Sequence, residues 1–319
     1  MINVLVTGGS GMVGKCMQEY LEFNEPSHRY TFISSKEYDL TDIIQVEECF
    51  KERKYDRIIH LAAVVGGLYE NMNNNCEMLI KNNKINMNVL EMCHKYNVNR
   101  GIFCLSSCIY PKNPSKFPMT EEQLCESEPH ESNEGYAYAK RMLYLMCKHY
   151  NKQYGREYIC VSPVNLYGFY DNFNIKSGHV IPGLINRMYK TKHGITPYDK
   201  KVFEVYGTGE AMRQFLFAPD FVYIILQILN NVNITDGLYN ICDENEYKIK
   251  EVVDILSELF EFDKSLIHYN TNYSDGILKK TVSNSKLLEI LPTIKFIPLK
   301  GGLKYTYDWF VENVNNIRE

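Results

Sequence analysis

Ile2-Asn3-Val4-Leu5-Val6-Thr7-Gly8-Gly9-Ser10-Gly11-Met12-Val13-Gly14 reads as a buried strand that runs directly into a glycine loop. Ile2 to Val6 is apolar and rich in β-branched side chains, as in a parallel strand covered on both faces. Gly8, Gly11 and Gly14 then follow as Gly-x-x-Gly-x-x-Gly. Behind them Met12, Val13, Cys16, Met17, Tyr20 and Leu21 recur at helical spacing. Strand, glycine loop and helix in succession form the context in which such a loop holds a dinucleotide pyrophosphate. Gly8 permits the tight turn, Gly11 admits the pyrophosphate to the backbone, and Gly14 lets the helix close on the strand. The expected fold is therefore α/β, a doubly wound parallel sheet of the Rossmann type.

The next elements extend the pattern. A second strand, Tyr30 to Ser34, ends in Ser34-Ser35-Lys36. An acidic residue at its end would bind the ribose hydroxyls of NAD. None stands there, and Lys36 can attract a 2′-phosphate, so NADP(H) is the expected cofactor. Asp39 can face the adenine amine, and Thr41 or Asp42 caps a helix through Ile43, Val46 and Phe50. Arg57 to Leu61 is a third strand ending in the small residues Ala62 and Ala63. His60 lies within its apolar run and reads as a core histidine. A long helix carrying Met78, Ile85, Met87, Val89, Leu90 and Met92 reads as buried on two sides, by the sheet and by a partner subunit. Gly101 to Leu105 is a fourth strand and Tyr158 to Pro163 a fifth. Beyond Gly168 the loops lengthen. Residues 1–170 are expected to form the cofactor domain, and 171–319 mainly a smaller α/β substrate domain with short crossings back.

The fourth strand delivers Ser106 and Cys108, and Tyr136 and Lys140 follow on a helix. Residues four apart share a helix face. A Ser, a Tyr and a Lys so placed do proton work beside a nicotinamide. The phenol is the acid for a developing alkoxide, the ammonium lowers the phenol's pKa, and the hydroxyl grips a carbonyl. On an extended backbone, Ser106 and Cys108 would point to the same side.

Composition narrows the class of function. The net charge of -4 suggests neither nucleic acid nor a membrane surface. Ten cysteines form no zinc spacing, so no metal is expected. Without a basic leader, the opening run reads as a strand and the thiols as reduced, which points to a cytoplasmic location.

Taken together, the glycine loop and the Ser106, Tyr136, Lys140 trio resemble the extended short-chain dehydrogenase/reductases that act on nucleotide sugars. The sharper resemblance is to the GDP-L-fucose synthase family. It rests on Ser106-Ser107-Cys108-Ile109-Tyr110-Pro111, Asn165-Leu166-Tyr167-Gly168, His179-Val180-Ile181-Pro182, Met212-Arg213-Gln214, and Ser274-Asp275-Gly276 with Lys279-Lys280. The resemblance implies conversion of GDP-4-keto-6-deoxy-D-mannose to GDP-L-fucose, by 3,5-epimerisation and NADPH-dependent reduction at C4. Ser106, Tyr136 and Lys140 would serve reduction, and Cys108 and His179 epimerisation. Gly8 to Gly14, Ser35, Lys36, Asp39, Leu40, Ala62, Ala63, Leu105, Ser106, Tyr136, Lys140, Pro163, Asn165, Leu166 and His179 would line the cofactor. Val180, Arg187, Tyr206, Arg213, Asp275 and Lys280 would hold the GDP-sugar, and the chain would pair as a homodimer. Ser10 and Tyr206 stand where bacterial members often carry Arg and Trp. Rival readings of the same fold are a 4-epimerase or 4,6-dehydratase with bound NAD, and a non-catalytic dinucleotide sensor.

Overall fold

The computed structural model describes residues 1–24, 28–175, 177–195 and 202–318. Strands and helices first alternate: β1 (Asn3–Thr7), α1 (Met12–Phe23), β2 (Arg29–Ile33), α2 (Ile43–Glu52), β3 (Arg57–His60), α3 (Leu68–Asn73), α4 (Asn75–Lys95), β4 (Arg100–Cys104), α5 (Glu134–Tyr154) and β5 (Glu157–Pro163). Shorter elements follow: β6 (Asn165–Tyr167), α6 (Val180–Lys192), β7 (Phe203–Tyr206), β8 (Met212–Arg213) and β9 (Phe215–Phe217). Then come α7 (Ala218–Asn230), β10 (Leu238–Ile241), β11 (Tyr247–Lys248), α8 (Ile249–Leu259), β12 (Ile267–Asn270), β13 (Lys279–Lys280), α9 (Ser285–Ile290) and α10 (Leu299–Asn313).

Six strands form one parallel sheet in the order β2-β1-β3-β4-β5-β10. The chain reverses direction between β1 and β3, so a crevice opens at their carboxyl ends, where such sheets bind ligands. α1 packs with α7, while α4 packs with α2 and α5. α7 and β10 thus join the large sheet. Val4, Leu5, Val6, Ile58, Ile59, Ile102 and Phe103 are fully buried in the core between these layers. A second core gathers Phe173, Ile185, Met188, Phe203, Val253, Leu256 and Phe310 from α6, β7, α8, α10 and the loop before α6.

α4 departs from its apolar reading. Met78, Ile85, Val89, Leu90 and Cys93 are buried, but so are the amides Asn82 and Asn86, while Ile80 and Met87 stay exposed. The stretch after β13 stitches the two cores together. Gln214 donates to the Val282 carbonyl at 2.9 Å and accepts from its N–H at 2.8 Å. Met119 sits between the backbones of Thr281 and Ser283, donating to one and accepting from the other.

Candidate active site

The glycine loop is built as its sequence demands. Gly8 takes a positive φ of 76°, a conformation that L side chains rarely adopt. A Cβ on Gly14 would stand 2.5 Å from the Gly8 carbonyl and 2.7 Å from Gly9 Cα, so only glycine lets α1 close on the loop. Gly11 is the N-cap of α1 and offers no side chain to its first amides. Those amides, together with the positive end of the helix, make an anion cradle. The cradle fits the pyrophosphate of a dinucleotide. Beside it, Gly9 donates to the Ile33 carbonyl at 2.8 Å, which fixes the end of β2 against the loop. Asp42, not Thr41, caps α2, accepting from Ile44 N at 2.9 Å. Asp39 accepts from the N–H and hydroxyl of Thr41, and Asn88 holds the Leu40 carbonyl at 3.0 Å.

A buried relay ties this loop to the helix of the proposed acid. Ala62 donates its N–H to Thr7 Oγ1 at 3.2 Å. The Thr7 hydroxyl lies 2.8 Å from His60 Nδ1, and His60 Nε2 lies 3.1 Å from Asn86 Oδ1. Asn86 Oδ1 can only accept, so Nε2 carries the proton and Nδ1 accepts from Thr7. Asn86 in turn donates to the Ala139 carbonyl of α5 at 3.4 Å. Burial, with the Lys140 ammonium nearby, pushes the His60 pKa down to about 3. His60 is therefore a neutral structural link and not a catalyst. Sequence reasoning overlooked Asn86, whose signal was an amide in an otherwise apolar helical stripe.

Lys140 is almost wholly buried and donates to the Cys104 carbonyl at 2.7 Å, at the end of β4. Its ammonium lies 5.6 Å from the centre of the Tyr136 ring. The expectation that Lys140 lowers the Tyr136 pKa is corrected: burial dominates and pushes the phenol well above its ordinary value, assisted by Cys108 and Cys104. Tyr136 is thereby held protonated, as an acid must be. Tyr138 is exposed, beside the Arg141 guanidinium.

Ser106 and Cys108 do not share an extended strand. Ser106 caps a single 3-10 turn, Ser107–Ile109, and its Oγ accepts from Cys108 N at 3.3 Å. The turn buries Cys108. Burial raises the thiol pKa, whereas the Lys280 ammonium, Ser106 and Lys140 favour the thiolate. Lys280 thus stands beside Cys108, a neighbour that the expected GDP-binding role did not include. It lies opposite Arg213 in the pairing of β13 with β8, and its own pKa falls through burial and the Arg213 charge, against the pull of Cys108. Cys108, Tyr110, Met119, His130, Asn133, Lys279 and Lys280 line one concavity of about 270 Å³, counted with the space open to solvent. Met119, His130 and Asn133 escaped the sequence reading because they lie in the long loop before α5.

His179, at the start of α6, is open to solvent, yet the protein packed around it lowers its pKa. Both conditions hold for a side chain on a cleft wall. Tyr136, Arg213 and Lys280 share that combination of partial exposure and burial-driven shift. His179 remains apart from the Tyr136–Cys108–Lys280 string in that burial alone, and no titratable neighbour among the described residues, shifts it. Its neighbour Gly178 abuts Gly67, which brings the loop before α6 to the start of α3.

Farther out, Arg187 is buried, donates to the Glu204 carbonyl at 2.7 Å and stacks 4.0 Å over the Tyr206 ring. Tyr273 stacks on Tyr206 with centroids 4.1 Å apart. Two groups that close cannot share a face, so both faces of Tyr206 are covered. Stacking of Tyr206 on a nucleotide base would require Tyr273 to move. Asp275 accepts from the N–H and hydroxyl of Thr208, at 2.8 and 2.7 Å. Asn165 donates to the Gln214 carbonyl at 2.8 Å. Leu105 pairs with Val161 beside Pro163, and Leu166 and Val180 are partly exposed.

Dinucleotide cradle, buried lysine and protonated tyrosine define a nucleotide-dependent oxidoreductase of the short-chain type. The model of the NAD dependent epimerase/dehydratase family matches residues 4–242, and the chain belongs to that family. A probable GDP-L-fucose synthase of Drosophila melanogaster is 38% identical, with 100% of both chains covered. The GDP-L-fucose synthase of Dictyostelium discoideum is 37% identical, over 99% of this chain and 97% of its own. A GDP-L-fucose synthetase of Naegleria fowleri, solved bound to NADP, superposes with a TM-score of 0.91 at 35% identity, covering 100% of this chain and 95% of the other. Within the family, the chain's place is among the GDP-L-fucose synthases.

Proposed function

We propose that this chain converts GDP-4-keto-6-deoxy-D-mannose to GDP-L-fucose, inverting C3 and C5 and then reducing C4. The observation that carries the reading is the meeting of a thiol, a phenol, the buried Lys140 ammonium and the partly exposed Lys280 ammonium beyond the carboxyl end of β4. A 4-keto group acidifies the protons on C3 and C5. Inversion needs removal from one face and return to the other, hence two acid/base groups. Cys108, whose thiol burial holds protonated and Lys280 draws back toward the thiolate, takes the proton, and His179 on the cleft wall supplies the complementary one. The Ser106 hydroxyl and Tyr136 phenol hold the C4 oxygen and stabilise the enolate. Bound NADPH supplies the hydride for C4. Tyr136 gives the oxygen its proton, and Lys140, fixed on Cys104, sets the position of the phenol.

Gly8 to Gly14 would hold the pyrophosphate, and Ser35 with Lys36 the adenosine 2′-phosphate. Arg187, Arg213, Asp275 and Lys280 would hold the GDP end. We further place the division between cofactor and substrate parts near residue 170, with α7 and β10 crossing back to the large sheet. The exposed Ile80 and Met87 of α4 and Met142 and Leu145 of α5 support a homodimer through these packed helices. No helix among the described residues is long and apolar enough to cross a membrane, and the free cysteines suit a cytoplasmic enzyme.

The test is incubation with GDP-4-keto-6-deoxy-D-mannose and NADPH in heavy water. The expected product is GDP-L-fucose with deuterium at C3 and C5 and one NADPH consumed per sugar. Turnover without loss of NADPH absorbance would replace this reading with a 4-epimerase or dehydratase. Cofactor binding with no turnover would favour a sensor.

A further inference from the structure

The end of β2 holds a carboxylate that the linear sequence does not announce. One carboxylate oxygen of Glu37 accepts from Ser34 N at 2.8 Å and from Ser34 Oγ at 2.9 Å. Ser34 follows Ile33, whose carbonyl is bound by Gly9 of the cofactor loop. In a doubly wound sheet, the ribose of the adenosine lies at the end of the second strand. The Ser34 donors therefore already grip an anionic oxygen where a 2′-phosphate would arrive. Carboxylate and phosphate oxygens compete for the same charge-assisted hydrogen bonds. Glu37 is exposed and sits on a turn, so its side chain can swing into solvent without repacking a core.

Resting on the reading that the cofactor is NADP(H), we propose that Glu37 is an internal stand-in for the 2′-phosphate that sets the enzyme's choice between NADPH and NADH. When NADPH binds, its phosphate takes the Ser34 N–H and hydroxyl, Glu37 turns outward, and Lys36 offsets the crowded negative charge. A cofactor without the phosphate leaves Glu37 in place, where its free oxygen can accept from ribose hydroxyls. Glu37 thus restrains the preference for NADPH that Lys36 creates.

The experiment is calorimetric titration of 2′,5′-ADP and of 5′-ADP into the wild type, Glu37→Ala and Glu37→Gln. Losing an exposed like charge should tighten 2′,5′-ADP about two- to fivefold in Glu37→Ala. 5′-ADP should bind as before or more weakly. Glu37→Gln keeps an acceptor for Ser34 and should gain less. An unchanged ratio of the two affinities, with both ligands binding well, overturns the role of Glu37 alone. So does parallel weakening of both, which marks a residue that only holds the turn. Failure of 2′,5′-ADP to bind the wild type would instead overturn the NADP(H) reading, and this inference with it.

Discussion

Lowering the pH from 6 to 5 should cost the wild type less stability than its buried histidine alone would take, because a buried acid answers it. His60 has a folded pKa of about 3, against roughly 6.5 unfolded. Between these values the unfolded chain binds a proton that the folded chain refuses. The His60 contribution is therefore complete above about pH 6.5 and is lost as pH falls toward 3, by about 1.4 kcal/mol per pH unit. Asp171 is the mirror case. Its carboxyl is buried, with one oxygen accepting from Asn172 N at 2.7 Å and the other without a hydrogen-bond partner among the described residues. Burial raises its pKa from 3.8 to about 7. Between those values the folded chain holds a proton that the unfolded chain has lost, so this contribution is complete at low pH and is lost as pH rises. The two slopes oppose each other from about pH 4 to 6.5. Each is exposed by removing the other. The stability of the wild type minus that of His60→Gln should shrink by about 1.4 kcal/mol from pH 6 to 5, and the wild type minus Asp171→Asn should grow by about as much. Urea unfolding at constant ionic strength, followed by Trp309 fluorescence and circular dichroism, reads both differences. Stability lines that stay parallel to the wild type for both variants would refute the argument, whatever each variant's baseline stability.

Tyr136→Phe should reduce C4 reduction about a hundredfold or more. Tyr138→Phe, about 200° round the helix, should be nearly silent in the same NADPH-oxidation assay. A larger effect at Tyr138 would place the acid elsewhere. Gly14→Ala puts a methyl into the backbone of Gly8 and Gly9. It should weaken NADPH at least tenfold and destabilise the chain by about 1–3 kcal/mol, measured by cofactor fluorescence and thermal unfolding. Lys280→Met removes the ammonium that favours the Cys108 thiolate. Alkylation of Cys108 near neutral pH, followed by peptide mass spectrometry, should slow together with deuterium entry at C3 and C5. Unchanged alkylation with slowed turnover would confine Lys280 to the GDP end.

The parallel sheet was legible because burial on both faces forces apolar, β-branched runs, and Gly8, Gly9 and Gly14 of the loop each stand where a Cβ would press within 3.0 Å of a neighbour. Tyr136 and Lys140 were legible through helical spacing. The turn after Ser106 was not, because Ser-Ser-Cys is equally at home on a strand; the hydrogen bond from Cys108 N to Ser106 Oγ decides it. Glu37 was invisible for a related reason. It stands four residues beyond the end of β2, where a carboxylate would be sought, and only the folded turn returns it to Ser34. Asn82 and Asn86 look like surface amides in the sequence. Long-range partners, the backbone at Val64 and the ring of His60, give them their positions.

The stitch from Lys280 to Ser283 has a consequence for timing. Lys280 faces the thiol, Val282 is locked on Gln214, and Thr281 and Ser283 bracket Met119 on the wall of the same concavity. Diphosphate bound on Lys280 and Arg213 would therefore press on a strand that cannot yield without moving the chamber around Cys108. Affinity for the inert end of the substrate would be converted into alignment at the reacting end. A sugar presented without its nucleotide should thus lose speed as well as grip.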